Sequence, residues 1–181
     1  MAEIGFIRFV YLASLSKPKH ERVLYRTVKK RKATRVVELG VGDLTRAQRV
    51  IQTARKFSPD AEISYTGIDM FEARGADEPK ISLKQAHKTL TATGAKVRLI
   101  PGNPFIGLSR FANTLVETDL LYISSGLEEE ALDQSWFYMP RMLHSETSVF
   151  QEIAKGGALS LKPLSVKDVM NAAESKRKTA A

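Results

Sequence analysis

From residue 34 onward, short apolar runs alternate with longer amphipathic stretches, a pattern that suits a parallel sheet whose two faces are both covered by helices. Val36-Val37-Glu38-Leu39 reads as the first strand. Thr45-Arg46-Ala47-Gln48 has the form of a capping box and opens a helix with an apolar stripe at Val50, Ile51, Ala54 and Phe57, which stops near Ser58-Pro59-Asp60. Residues 63–69 supply the second strand. A polar loop through Gly75 and Pro79 leads to a second capping box, Ser82-Leu83-Lys84-Gln85, on a helix that closes at Gly94. Val97 to Ile100 form the third strand, cut off by Pro101-Gly102-Asn103-Pro104 and followed by a short helix through Leu108, Phe111 and Leu115. The fourth strand is Asp119 to Ile123, and a helix follows from Glu128 to Leu143 that Pro140 should bend or end. Ser148 to Ile153 is the fifth strand, Ala158 to Leu161 a candidate sixth, and Ser165 starts a last amphipathic helix through Val169, Met170 and Ala173.

This order gives an α/β chain of Rossmann-like, doubly wound architecture, a mostly parallel sheet with helices on both faces. Right-handed crossovers then place any ligand crevice at the carboxyl ends of the strands. At 181 residues there is room for one such domain. A basic helical extension over 1–33, the α/β unit over 34–164 and a helix with a basic tail over 165–181 are the expected divisions.

Charge is unevenly placed. Nine basic residues, Lys17, Lys19, Arg22, Arg26, Lys29, Lys30, Arg31, Lys32 and Arg35, stand against the single acid Glu21, so this segment carries an excess equal to the whole net charge of +8. Such a stretch attracts phosphate backbones or an anionic membrane face, or is a solvated helix face. A nucleic-acid contact through Lys17–Arg35 is therefore one expectation. The absence of cysteine removes disulfides, thiolate metal sites and cysteine nucleophiles, and His20, His87 and His144 are too scattered for a histidine-rich metal site, so no metal is expected. The apolar run Ile4 to Ala13 has Glu3 where a signal peptide needs a basic region and Arg8 inside it. No segment approaches the ~20 apolar residues of a membrane span. The expected location is the cytoplasm, without a membrane partner.

The residues most suggestive of chemistry are Glu38-Leu39-Gly40-Val41-Gly42-Asp43, where a strand turns into a helix. Glycines at 40 and 42 allow a tight turn and a close backbone approach by a ligand. A dinucleotide fingerprint would place a third glycine at position 45, where Thr45 stands. Asp69, 27 residues after Gly42 at the end of the second strand, has the carboxylate to accept two ribose hydroxyls.

On these residues the chain resembles the class I S-adenosylmethionine-dependent methyltransferases over about residues 34 to 154. The resemblance makes 34–164 the methyltransferase-like domain and implies that Glu38, Gly40 and Gly42 form the first cofactor motif. It further implies that Asp69 binds the ribose, Met70 lies beside the adenine, and Asn103 offers its amide oxygen to the adenine amine, with Ser124 completing the site. S-adenosylmethionine is the implied cofactor. In the branch that the stretch from Asp119 to Ile153 resembles, strand four ends in Ile-Asp-Gly-Asp-His. Here the residues are Ile123-Ser124-Ser125-Gly126-Leu127, so no catalytic residue is assigned, and Glu128, Glu129 and Glu130 read as helix-start acids. The expected function is methyl transfer to a small molecule or an RNA, and the alternative is a non-catalytic binding or regulatory module with the same cleft. The acceptor and the oligomeric state are left open by these residues.

Overall fold

The computed structural model describes residues 4–76 and 79–179. Helix α1 (Phe6–Ser14) and helix α2 (Arg22–Arg31) precede the sheet. Strands β1 (Arg35–Leu39), β2 (Ser64–Asp69), β3 (Lys96–Pro101), β4 (Thr118–Ile123), β5 (Leu143–Lys155) and β6 (Ala158–Leu164) form one sheet in the order β3-β2-β1-β4-β5-β6. Neighbours up to β5 run parallel, and β6 returns antiparallel along β5. The connecting helices are α3 (Thr45–Phe57), α4 (Leu83–Thr91), α5 (Pro104–Phe111) and α6 (Glu129–Ser135), with α7 (Val166–Thr179) after β6. The expected doubly wound fold is present.

Alternation along the strands divides the core. Val36, Tyr65, Leu120, Tyr122 and Phe150 face a layer built from α1 to α4, where Leu24, Val28, Ile51 and Leu90 are fully buried. Val37, Leu39, Ile68, Leu121, Ile123 and Val149 face the other layer, closed by Leu108 of α5 and Val169 of α7. Segment 4–33 thus shares a core with the sheet. The chain proceeds outward from β1 to β3 and then crosses back to β4, so the strand order reverses between β1 and β4. That switch point is where an open α/β sheet leaves a crevice.

Three local expectations change. The capping box at Thr45 does not form, because Leu44 takes the cap position in a left-handed conformation (φ 70°) and Asp43 accepts from the backbone N–H (2.9 Å) and the hydroxyl (3.0 Å) of Thr45. The helix expected from Glu128 to Leu143 ends at Ser135, and Pro140 sits in a 3-10 turn over Met139–Met142. Strand β5 begins at Leu143 instead of Ser148, after a register shift between Thr118 and Leu120. There the Thr147 hydroxyl donates to the Thr118 carbonyl (2.6 Å), and a ring nitrogen of His144 lies 3.3 Å from Asp119. At Ser82 one half of the box forms, the hydroxyl accepting from the Gln85 amide at 3.4 Å.

One charged cluster lies in the first layer. Glu38, 2% exposed, takes a place on β1 that alternation would give to an apolar residue. It accepts from Arg46 Nε (2.5 Å) and from the Tyr65 hydroxyl (2.5 Å), and the Arg46 guanidinium also lies 3.8 Å above the Tyr122 ring and 3.6 Å from Glu21. Burial pushes the Glu38 carboxyl up from its usual range, and Arg46 and Tyr65 pull against it. Replacing Arg46 with methionine leaves the buried Glu38 carboxylate without its cation and should cost about 3 kcal/mol or more of unfolding free energy. Denaturant melts of Arg46→Met and of Arg46→Met with Glu38→Gln should show the second change restoring part of the loss. An Arg46→Met variant within ~0.5 kcal/mol of the parent would contradict the assignment.

Candidate functional site

The carboxyl ends of β1 to β4 surround a cleft of about 470 Å³, within the size range of small-molecule sites. Gly40 and Gly42 both have positive φ, 81° and 59°, but they do different work. A Cβ on Gly40 would lie 2.8 Å from Cβ of Ser124, so glycine here lets the end of β4 close on the end of β1. A Cβ on Gly42 would make only an ordinary van der Waals contact, with the Arg46 guanidinium at 3.8 Å, and residue 42 lines the cleft. The close approach by a ligand that the sequence suggests for both glycines is available at Gly42.

Asp69 lines the cleft, yet its carboxylate is spoken for. Oδ2 accepts from the Val41 amide (2.9 Å) and from Arg74 (2.8 Å), while Oδ1 accepts from the Phe71 amide (2.8 Å) and from Arg74 Nε (2.7 Å). Two carboxylate oxygens have about four acceptor positions, and all are used. Arg74 also donates to the Gly42 carbonyl (2.9 Å) and the Pro79 carbonyl (2.8 Å), so one buried guanidinium ties the β2 loop to the β1 turn along the cleft wall. Sequence reasoning missed Arg74, which bridges Asp69 and Pro79, each five residues away, to Gly42, 32 residues back in the chain.

Of the remaining expected residues, Met70 is 40% exposed and lines the cleft with Asn103 and Ser124. The Asn103 side-chain oxygen caps α5 by accepting from the Ile106 amide (2.9 Å), which leaves its NH₂ group for a ligand. Glu38 does not line the cleft. Its partners hold it in the core below the turn.

The β4 loop is fixed from β5. Glu152 accepts from the Ser125 hydroxyl (2.8 Å) and amide (3.2 Å), lies 3.5 Å from the Ser124 hydroxyl, and pairs with the His20 ring at 2.9 Å. Because the carboxylate stands between the serine and the histidine, the serine has no adjacent base and the trio is not a nucleophilic triad. Burial works against ionisation of Glu152, yet the Ser125 hydroxyl and amide hold its carboxyl below the usual 4.5. Among the described residues no group of three or more His, Asp or Glu is placed to hold a metal ion. Glu128 lines the cleft, and Glu129 and Glu130 occupy the first turn of α6.

Solved structures share this fold. A methyltransferase from Geobacter sulfurreducens aligns at 17% identity over 83% of this chain and 72% of its own, with a TM-score of 0.51. The O-methyltransferase TomG from Streptomyces achromogenes, in complex with SAM, aligns at 14% identity over 93% and 75%, with a TM-score of 0.52. Cofactor-bound Rv0187 from MTB aligns at 14% identity over 94% and 73%, with a TM-score of 0.55. This chain has the fold of the class I S-adenosylmethionine-dependent methyltransferases. No protein-family model matches it, and no curated protein does. At these identities the likeness is one of fold, and within the methyltransferase fold the cleft described above lies at the switch point.

Two measurements check the geometry. Gly40→Ala combines a left-handed backbone with a 2.8 Å clash and should cost about 2–4 kcal/mol, whereas Gly42→Ala, strained but unobstructed, should cost about 1–2 kcal/mol. Equal losses would contradict the separate roles. Because Glu152 binds protons less readily folded than unfolded, unfolding takes up a proton between the two pKa values, and the stabilisation is present above about 4.5 and fades as pH falls through the lower, folded value. The stability advantage of the parent over Glu152→Gln should therefore shrink as pH drops below ~4.5. A pH-independent difference would show that the carboxylate is not held this way.

Proposed function

We propose that the cleft binds S-adenosylmethionine and that the chain transfers its methyl group to a small-molecule or RNA acceptor. The observation that carries this reading is the convergence of Gly42, Met70, Asn103 and Ser124 on one cleft at the switch point of a methyltransferase fold. The bound cofactor supplies an electrophilic methyl group on a sulfonium, and displacement at that carbon asks the protein chiefly for alignment. The open backbone at Gly42 admits the ligand, Met70 offers apolar surface for a purine, and the Asn103 NH₂ group donates to a ring nitrogen. Asp69 can take the ribose hydroxyls only as Arg74 yields its hydrogen bonds.

Calorimetric titration with S-adenosylmethionine and S-adenosylhomocysteine tests the placement. Asp69→Ala removes the ribose acceptor and frees the Val41 and Phe71 amides, and should weaken binding by roughly tenfold or more. Equal affinity in the parent and Asp69→Ala would sink it. A second reading, a non-catalytic binding module, is favoured by the β4 loop, whose Ser125 hydroxyl and amide turn to Glu152. Cofactor binding without methyl transfer to any of a broad acceptor panel would select that reading.

A further inference from the structure

The surface of α1 is unlike that of the other helices. Phe9, Leu12 and Ala13 face the core, but Phe6, Ile7, Val10, Tyr11 and Leu15 face outward, with Ile7 85% exposed, Leu15 65% and Phe6 63%. An apolar face of this extent is uncommon on a free soluble surface. The chain passes from it directly into the basic segment. Lys17 and Lys19 are exposed immediately after Leu15, and Arg26, Lys29 and Lys30 are exposed on α2, which packs against α1. Lys29 Nζ lies 5.0 Å from the ring centroid of the core-facing Phe9, and Arg22 Nε donates to the Ser16 carbonyl at 2.8 Å, so α2 and its cations are held against α1. The only acid of the segment, Glu21, is 5% exposed and turned inward to the Tyr25 hydroxyl and Arg46. Residues 17–35 therefore present no carboxylate of their own to solvent, and of their cations Arg31 is paired with the exposed Glu146 of β5.

We propose that α1 and α2 together form a docking surface for an anionic lipid bilayer, with the outward face of α1 lying in the interface and the cations of residues 17–35 meeting acidic headgroups. The occupant is chosen by the pairing of the two surfaces. An RNA would use the cations but gain nothing from Ile7 and Leu15. A second copy would cover the apolar face but bring two cationic surfaces together. A bilayer with acidic headgroups uses both. Among the described residues no helix is long and apolar enough to cross a membrane, so the contact is interfacial.

Flotation of the full chain with vesicles tests this. The protein should float with phosphatidylcholine vesicles containing phosphatidylserine and remain behind with phosphatidylcholine alone, and salt should weaken the association. Ile7→Asp with Leu15→Asp should lower the partition by roughly tenfold or more, and Arg26→Gln with Lys30→Gln should lower it by several-fold. Both pairs are exposed, and circular dichroism will verify that the fold is kept. Absence of binding to acidic vesicles overturns the proposal, as does binding that ignores Ile7→Asp with Leu15→Asp. Two competing occupants have their own signatures, each of which also overturns it. One is salt-sensitive RNA binding without vesicle binding. The other is a dimer in sedimentation equilibrium that Ile7→Asp dissociates.

Discussion

The cleft depends on how the Asp69 carboxylate is satisfied. A carboxylate at 7% exposure must be compensated locally, and here two backbone amides and a buried arginine do so. Those partners come from the β1 turn, the β2 turn and the loop beyond it, so satisfying one charge fixes three pieces of irregular backbone around an open space. The cleft is in this sense preorganised. The arrangement also sets a condition on any ligand, since a hydroxyl that reaches Asp69 competes with charge-assisted hydrogen bonds already made.

The same device recurs around the sheet. Glu152 holds the β4 loop through Ser125 and reaches His20 before α2, and Asp119 joins the start of β1 to the start of β5 through the Thr34 and Arg35 amides and His144. Burial opposes ionisation of Asp119, but those amides and side chains hold its carboxyl below the usual 3.8. Acids at strand ends thus serve largely as joints between turns. What is left for chemistry on the cleft surface is backbone, Met70, the Asn103 amide, the Ser124 hydroxyl and the acids Asp43 and Glu128. That inventory suits recognition and alignment better than acid–base work, in keeping with methyl transfer to an acceptor that is already nucleophilic.

Much of the fold was legible because both faces of the sheet are buried, so Val36-Val37, Leu120-Leu121 and their neighbours form apolar runs that few other folds accommodate. The beginning of β5 was hidden by its polar composition, His144-Ser145-Glu146-Thr147, whose strand pairing follows from contacts to Thr118 and Asp119 a full crossover away. The capping box at Thr45 failed because a side chain two residues earlier, Asp43, already satisfies the helix start. In the site, glycine positions were readable, but the reason for Gly40 was not, since it lies in Ser124 across the sheet. Arg74 gave no signal in sequence. A lone arginine in a polar loop acquires meaning only when the fold sets it against Asp69 and Gly42.

The proposed function rests on S-adenosylmethionine binding in this cleft. Glycine-specific ¹⁵N labelling tests it directly, since Gly42, Gly102 and Gly126 line the cleft while Gly156 and Gly157, in the β5–β6 hairpin, are outside its lining. On titration with S-adenosylhomocysteine the amides of Gly42 and Gly102 should shift saturably, with Gly156 and Gly157 unmoved. Shifts confined to the hairpin glycines, or none at saturating ligand, would contradict it.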